Sequence, residues 1–292
     1  MEVTVQVPAS TTNLGPGFDC LGVALQLWNQ TRVSRVNGSG TSASPHPKMV
    51  DEAAHAFFSN STMSPFEFDW NLQGDVPPAR GLGSSVTLRL GVLLGLNRLA
   101  GNVYSTSEIK QLCDHLEGHP DNTAAALHGG FTVVNARRNV VQRFDVSADL
   151  HFVLFIPDFE VATSEARKVL PVTYPRTDIV ENLANVALIA AAFASQDYES
   201  LRDAFYDRLH EPYREPLVPI LRDLVRAGQK AGALGGFLSG SGSTIACLTT
   251  QDPKPVADAM RVAAGKAQGT LSIVQADNSG ARILEKETQD AR

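Results

Sequence analysis

The chain has 292 residues, enough for one large domain or two ordinary ones, and a formal net charge of −6. That acidic balance argues against nucleic acid as the main partner, because gripping a phosphate backbone requires a basic face. Cys20, Cys113 and Cys247 lie far apart with no CxxC spacing, so they read as small buried residues and not as a disulfide framework or zinc site.

Val3, Val5 and Val7 alternate with polar neighbours, which predicts a strand over Met1 to Val7 and no signal peptide. A loop follows over Pro8 to Phe18, with Asn13 and two glycines ahead of Asp19. Val23, Leu25 and Leu27 then alternate as a second strand, so the loop sits where a binding edge can form. Asn37 to Lys48 is rich in Gly, Ser, Thr and Pro and reads as an exposed connection. A helix is expected over Asp51 to Phe58 and a strand over Phe66 to Leu72. That strand leads into Pro77-Pro78-Ala79-Arg80-Gly81-Leu82-Gly83-Ser84-Ser85, and a Leu-rich helix runs from there to Leu99, stopping at Gly101. Ser84 or Ser85 is the natural N-cap. A helix opening on two glycines and two serines points its first amides outward, and amides plus dipole make a cradle for anionic oxygens. The stretch is neither a Walker A loop nor a dinucleotide fingerprint, and taken alone it serves equally as a plain cap.

Ser105 or Thr106 with Glu108 opens another helix through Leu116, which Pro120 ends. Gly129-Gly130 turns into a strand over Phe131 to Val134, and Asp149 to Ile156 is a further, nearly continuous apolar strand. The pattern is helical from Asp178 to Leu209, with a break near Ser195-Gln196-Asp197, and again from Leu217 to Ala231. Gly235 to Leu238 and Thr244 to Leu248 are short strands flanking the turn Ser239-Gly240-Ser241-Gly242. Pro255 to Ala264 reads as a helix and Leu271 to Ala276 as a closing strand, which together suggest a second α+β unit after residue 150. No apolar run reads as long enough to cross a bilayer, so a cytoplasmic protein without membrane partners is expected.

Four stretches carry a resemblance. Pro78 to Ser85 is similar to the ATP-binding motif of the GHMP kinases, Pro8 to Gly22 resembles the family's first motif, and Gly236 to Thr244 its third. Glu117-Gly118-His119-Pro120-Asp121-Asn122 matches too, and this stretch and Pro8 to Gly22 resemble the form found in the homoserine kinase branch. The resemblance implies a two-domain α+β fold: a ribosomal protein S5 domain 2-like N-terminal domain over 1–150 that binds ATP, and a ferredoxin-like C-terminal domain over 151–292. It implies ATP on Pro78, Ala79, Arg80, Gly81, Leu82, Gly83, Ser84 and Ser85, with Mg²⁺ held by Ser85 and Glu117 as the catalytic pair. For an amino-acid acceptor such as L-homoserine it implies Asn13 and Asp19, the latter facing the ammonium, with Thr163, Arg167, Arg214, Gly240, Ser241 and Gly242. A guanidinium can grip a carboxylate through two parallel hydrogen bonds, which lysine cannot do.

On residue type alone, Glu117 reads as an exposed carboxylate at a helix end, and Arg167 and Arg214 as surface arginines. His115 and His119 have the i, i+4 spacing of a metal pair, but no HExxH is present and Pro120 cuts the helix short. His119 reads as a hydrogen-bonded structural residue more than as a base. The sequence departs from the family at Val86, Thr87 and Arg89, where small residues usually follow, and at Ser243, where proline is common. A kinase for another small hydroxylated metabolite, and a non-catalytic ligand-binding regulator, stay open as alternatives; a homodimer is compatible with the resemblance.

Overall fold

A computed structural model describes residues 1–36, 45–61 and 63–284. In chain order the elements are β1 (Glu2–Asn13), β2 (Gly17–Arg35), α1 (Lys48–Ser59), β3 (Phe68–Gly74), α2 (Ser84–Leu99), α3 (Thr106–Glu117), α4 (Asp121–His128), β4 (Phe131–Asn135) and β5 (Val140–Phe144). There follow β6 (His151–Pro157), α5 (Thr163–Lys168), α6 (Arg176–Ser195), α7 (Glu211–Arg214), α8 (Leu221–Lys230), β7 (Gly235–Leu238), β8 (Ile245–Thr249), α9 (Lys254–Ala264), β9 (Gly269–Val274) and β10 (Arg282–Leu284). Most of the Asn37 to Lys48 connection lies outside the described residues.

Two sheets organise these elements. The first runs β10-β1-β2-β4-β5, with β3 also paired to β2, and the second runs β7-β8-β6-β9. In the second, β6 is antiparallel to both β8 and β9, and helices separate β6 from β7 and β8 from β9, which is the ferredoxin-like order. After β9 the chain crosses back, and β10 pairs with β1 in the first sheet. One apolar cluster joins the sheets: Leu21, Val23 and Leu25 of β2 meet Phe152 and Leu154 of β6 and Phe237 of β7.

Helix α2 is buried along most of its length and packs against β1 and β2. Gly91 and Gly95, one turn apart, allow that close approach. A Cβ at Gly91 would lie 2.1 Å from Thr31 Oγ1, and one at Gly95 would lie 2.6 Å from Val33 Cγ2. Helix α3 starts as expected, because Ser105 accepts from the Glu108 amide while Glu108 accepts from the Ser105 amide.

Several expectations need correction. The N-cap of α2 is Gly83, at φ +68° and without a side-chain cap, so Ser84 and Ser85 are the first two helical residues. The supposed loop over Pro8 to Phe18 is mostly strand, since β1 continues to Asn13 and β2 begins at Gly17. Alternation was interrupted there because both faces of β1 are buried beyond Val7. Helix α3 ends at Gly118, φ +79°, and Pro120 opens α4, a helix not foreseen. The second half of the long helix expected to Leu209 is instead a short 3₁₀ turn and irregular chain. Contrary to expectation, α6 is by length and composition alone apolar enough to cross a membrane. It nevertheless packs on the protein through Asn182, Ile189, Ala192 and Phe193, with the Asn182 amide donating to the Pro16 carbonyl.

Gly91→Val should overpack the contact with Thr31 and destabilise the fold by about 1–3 kcal/mol. Urea unfolding checks this, and an unchanged midpoint would contradict the packing argument.

Candidate active site

The site forms where the end of β1, the glycine loop before α2 and the turn between β7 and β8 are hydrogen-bonded together. Ser10 N donates to the Leu82 carbonyl, Gly240 N to the Thr12 carbonyl, and Thr244 N to the Arg80 carbonyl. The Ser239 hydroxyl donates to the Gly81 carbonyl at 2.7 Å and therefore accepts from Thr11 Oγ1 at 2.8 Å. Asn13 Nδ2 donates to the Gly240 carbonyl at 2.9 Å. Only glycine fits two of these positions: Gly81 (φ +71°) would place a Cβ 2.1 Å from the Ser239 carbonyl oxygen, and Gly83 would place one 2.3 Å from Ser10 Oγ.

These contacts surround a cleft of about 300 Å³. On one side lies the start of α2, whose N-cap, Gly83, has no side chain to cap the first-turn amides. Beside them the Ser85 hydroxyl donates to Glu117 Oε2 at 2.8 Å, and Arg89 Nη1 donates to Glu117 Oε1 at 2.6 Å. Glu117 is thus not an exposed carboxylate, its side chain being only 6% accessible. A hydroxyl and a carboxylate converging beside uncapped amides are hard oxygen donors, which fit Mg²⁺ shared with phosphate oxygens.

Opposite, Arg167 grips Asp19 through two hydrogen bonds, Nη2 to Oδ1 at 2.7 Å and Nη1 to Oδ2 at 3.0 Å. Phe18 lies beneath Arg167 and Arg214, with guanidinium carbons 5.4 and 5.2 Å from its ring centre. Thr163 and Ser241 face each other at 3.4 Å between hydroxyl oxygens. Arg214 is no surface arginine: 2% exposed, it donates to the Ala166 and Gly240 carbonyls. Burial, with the charge of Arg167 adding, lowers its pKa to about 10, so it stays cationic at neutral pH. Its Nη1 also lies 3.2 Å from His210 Nδ1, while His210 Nε2 lies 2.8 Å from the Gly15 carbonyl. Burial pushes the His210 pKa down against the opposing charge of Asp207, so the ring is neutral: Nδ1 accepts from Arg214 and Nε2–H donates to Gly15.

At the floor, His119 Nδ1 meets Asp121 Oδ1 at 3.0 Å. Burial alone would lower the His119 pKa, but the hydrogen bond and charge of Asp121 outweigh it and raise the value above 6.5. Burial would likewise raise Asp121, yet the same partner and the Asn122 amide hold its pKa below 3.8.

Most expected residues converge here, with exceptions. Leu82 is fully buried in the apolar cluster, and Gly242 packs on Leu238 and Val218, so neither lines the cleft. Arg80 lines it, but its guanidinium binds the Pro157 and Asp158 carbonyls and Glu160, tying the loop to the end of β6. Phe18, Met49, Val161 and Ala162 line the cleft and were not anticipated. Phe18 had a signal, lying between a motif glycine and Asp19; the others had none.

Two family models match the chain: GHMP kinases N terminal domain over residues 48–130 and GHMP kinases C terminal over 189–267. The homoserine kinase of Caldicellulosiruptor bescii is 36% identical over 297 residues, covering 97% of both chains. The chain belongs to the GHMP kinase family. The homoserine kinase of Synechococcus sp. is 37% identical, covering 99% of this chain and all of its own. The crystal structure of homoserine kinase from Cytophaga hutchinsonii superposes with a TM-score of 0.87 at 25% identity and 97% coverage of each chain. A mevalonate kinase structure, at 13% identity and a TM-score of 0.70, shares the fold. As a GHMP kinase the chain is an ATP-dependent phosphotransferase acting on a hydroxyl group.

His119 should titrate above the ordinary histidine range in an NMR pH series. Asp121→Asn removes the largest influences that oppose burial and should lower the His119 pKa, whereas no downward move would contradict the pairing. In linkage terms the raised pKa stabilises the fold below about pH 6.5, and this contribution fades as pH rises through the folded value.

Proposed function

We propose that this GHMP kinase transfers the γ-phosphate of MgATP to the hydroxyl of L-homoserine, giving O-phospho-L-homoserine for threonine biosynthesis. One observation carries the reading: a single cleft is lined both by the start of α2 with an oxygen-donor pair and by an Asp–Arg pair of complementary charge.

A triphosphate tail would lie along the first turn of α2, where amides and helix dipole offset its charge. Ser85 and Glu117 would hold Mg²⁺ there, and the ion when bound supplies neutralisation of the phosphate oxygens. Asp19 and Arg167 satisfy each other, and a zwitterion presents the same two charges in reverse. Its ammonium can face Asp19 while its carboxylate takes the fork of Arg167, so two ion pairs replace one. A neutral polyol offers no such exchange, which favours an amino-acid acceptor. Arg214 adds a second fixed positive charge over the Phe18 ring. His119 lines the cleft with Nδ1 tied to Asp121, so its role here is that of a hydrogen-bonded structural residue beside Glu117. Catalysis on this reading is positioning plus charge neutralisation.

An ADP-release assay across amino acids, polyols and sugar alcohols tests the acceptor. Turnover on homoserine is expected, and turnover confined to another alcohol would reject it. Glu117→Gln should lower kcat by roughly 10²–10³-fold, the cost of removing one group aimed at developing charge. Arg167→Ala should raise the homoserine KM by roughly tenfold to a hundredfold, from about 1.5–3 kcal/mol of charge-assisted hydrogen bonding. A change in ATP KM alone would contradict that assignment.

A further inference from the structure

Arg89 stands one helical turn after Ser85, so both project from the same face of α2. Its guanidinium, 12% exposed, donates from Nη1 to Glu117 Oε1 at 2.6 Å and to the Leu116 carbonyl at 3.0 Å, and from Nη2 to Glu52 Oε2 at 2.9 Å. The buried Nε has no hydrogen-bond partner among the described residues. An unmet donor is an expense that an apolar side chain here would avoid, so the position is held for what Nη1 and Nη2 bind. Glu117 is engaged at both oxygens, Oε1 by Arg89 and Oε2 by Ser85.

We propose that Arg89 is a positioning residue that makes Glu117 a one-oxygen metal ligand and so biases the site toward Mg²⁺ over Ca²⁺. The inference rests on reading Ser85 and Glu117 as the metal-binding pair. Chelation by both carboxylate oxygens would bring a divalent cation alongside Nη1, like charge against like in a partly buried site. Approach at Oε2, beside the Ser85 hydroxyl, avoids this. Mg²⁺ demands near-octahedral geometry and suits such an approach, whereas Ca²⁺ takes more ligands and readily accepts both oxygens of a carboxylate. Glu52 has a part as well. It takes Nη2 of Arg89 and itself pairs with Lys48 at 3.6 Å, so the guanidinium is shared between two carboxylates and orients Glu117 without belonging to it alone.

Calorimetric titration of ATP into the full chain, with Mg²⁺ or Ca²⁺ as the sole divalent ion, reads the preference directly. The wild-type chain should bind ATP more tightly with Mg²⁺, and Arg89→Met should shrink that preference by about tenfold, the scale on which groups behind a metal ligand act. Arg89→Lys, which cannot fork two carboxylates, should lose part of it. Thermal melts identify the folded variants; a purely structural role would lower stability without moving the ion ratio. A ratio unchanged in folded Arg89→Met, or in Arg89→Lys should the Met variant not fold, overturns the proposal, as does a wild-type chain indifferent to the ion. Glu117→Gln separates the two levels: unchanged Mg²⁺-dependent ATP binding in that variant would reject the metal pair itself, whatever Arg89 does.

Discussion

The site depends on the last turn of β1. Ser10, Thr11, Thr12 and Asn13 are all buried, and their polar atoms are spent on the glycine loop, on the Ser239–Gly240 turn and on Asn122 at the start of α4. Buried hydroxyls and amides are costly unless matched, so this strand end fixes the relative positions of pieces more than two hundred residues apart in sequence. The tight glycines follow from it: Gly83 exists to let Ser10 approach the loop, and the uncapped start of α2 is the consequence.

Charge is then divided between the two walls of the cleft. The α2 side combines helix amides with Glu117, a mixture that suits a cation and its phosphates together. The far side is built on cations, and their support runs deep. Asp207 accepts from the amides of Leu209, His210 and Glu211, fixing the short helix that carries Arg214. Glu211, its pKa lifted to about 7 by burial, accepts from the Leu238 amide in β7. The short helix that carries Arg214 is therefore tied to β7 of the second sheet, while α2 packs against β1 and β2 of the first.

How much of this was legible in sequence depended on the range of the interaction that decides each feature. The capping box of α3, the strands around Phe131 and Phe152, and the Gly235 and Ile245 hairpin were readable because local pattern determines them. The extension of β1 to Asn13 was not, because Ser and Thr there are buried by partners that local alternation cannot reveal. Helix α4 hid behind Pro120, read as a terminator when it in fact starts the next helix. Ser85, Glu117, Asp19 and Arg167 were reachable by motif, but not the hydrogen bond that joins the first two or the ion pair that joins the others. Arg89 stood out only as a departure, and its meaning needed Glu52 and Glu117 brought beside it.

Backbone strain points the same way as the polar network. Asn13, Asp19 and Ala79, all lining the cleft, adopt positive φ angles of 70°, 56° and 53°. Each such residue costs on the order of 1–2 kcal/mol, so the surroundings must over-determine its conformation. They do so visibly at Asn13, whose side chain accepts from the Asp19 amide at 3.0 Å and donates to Gly240, locking both left-handed residues into one arrangement. Asp19 is held at its backbone by Asn13, so the position of its carboxylate is set before a substrate arrives. A kinase that works by holding its reactants in line gains most from such a site, since the ordering is completed during folding and does not draw on the binding energy of the substrate.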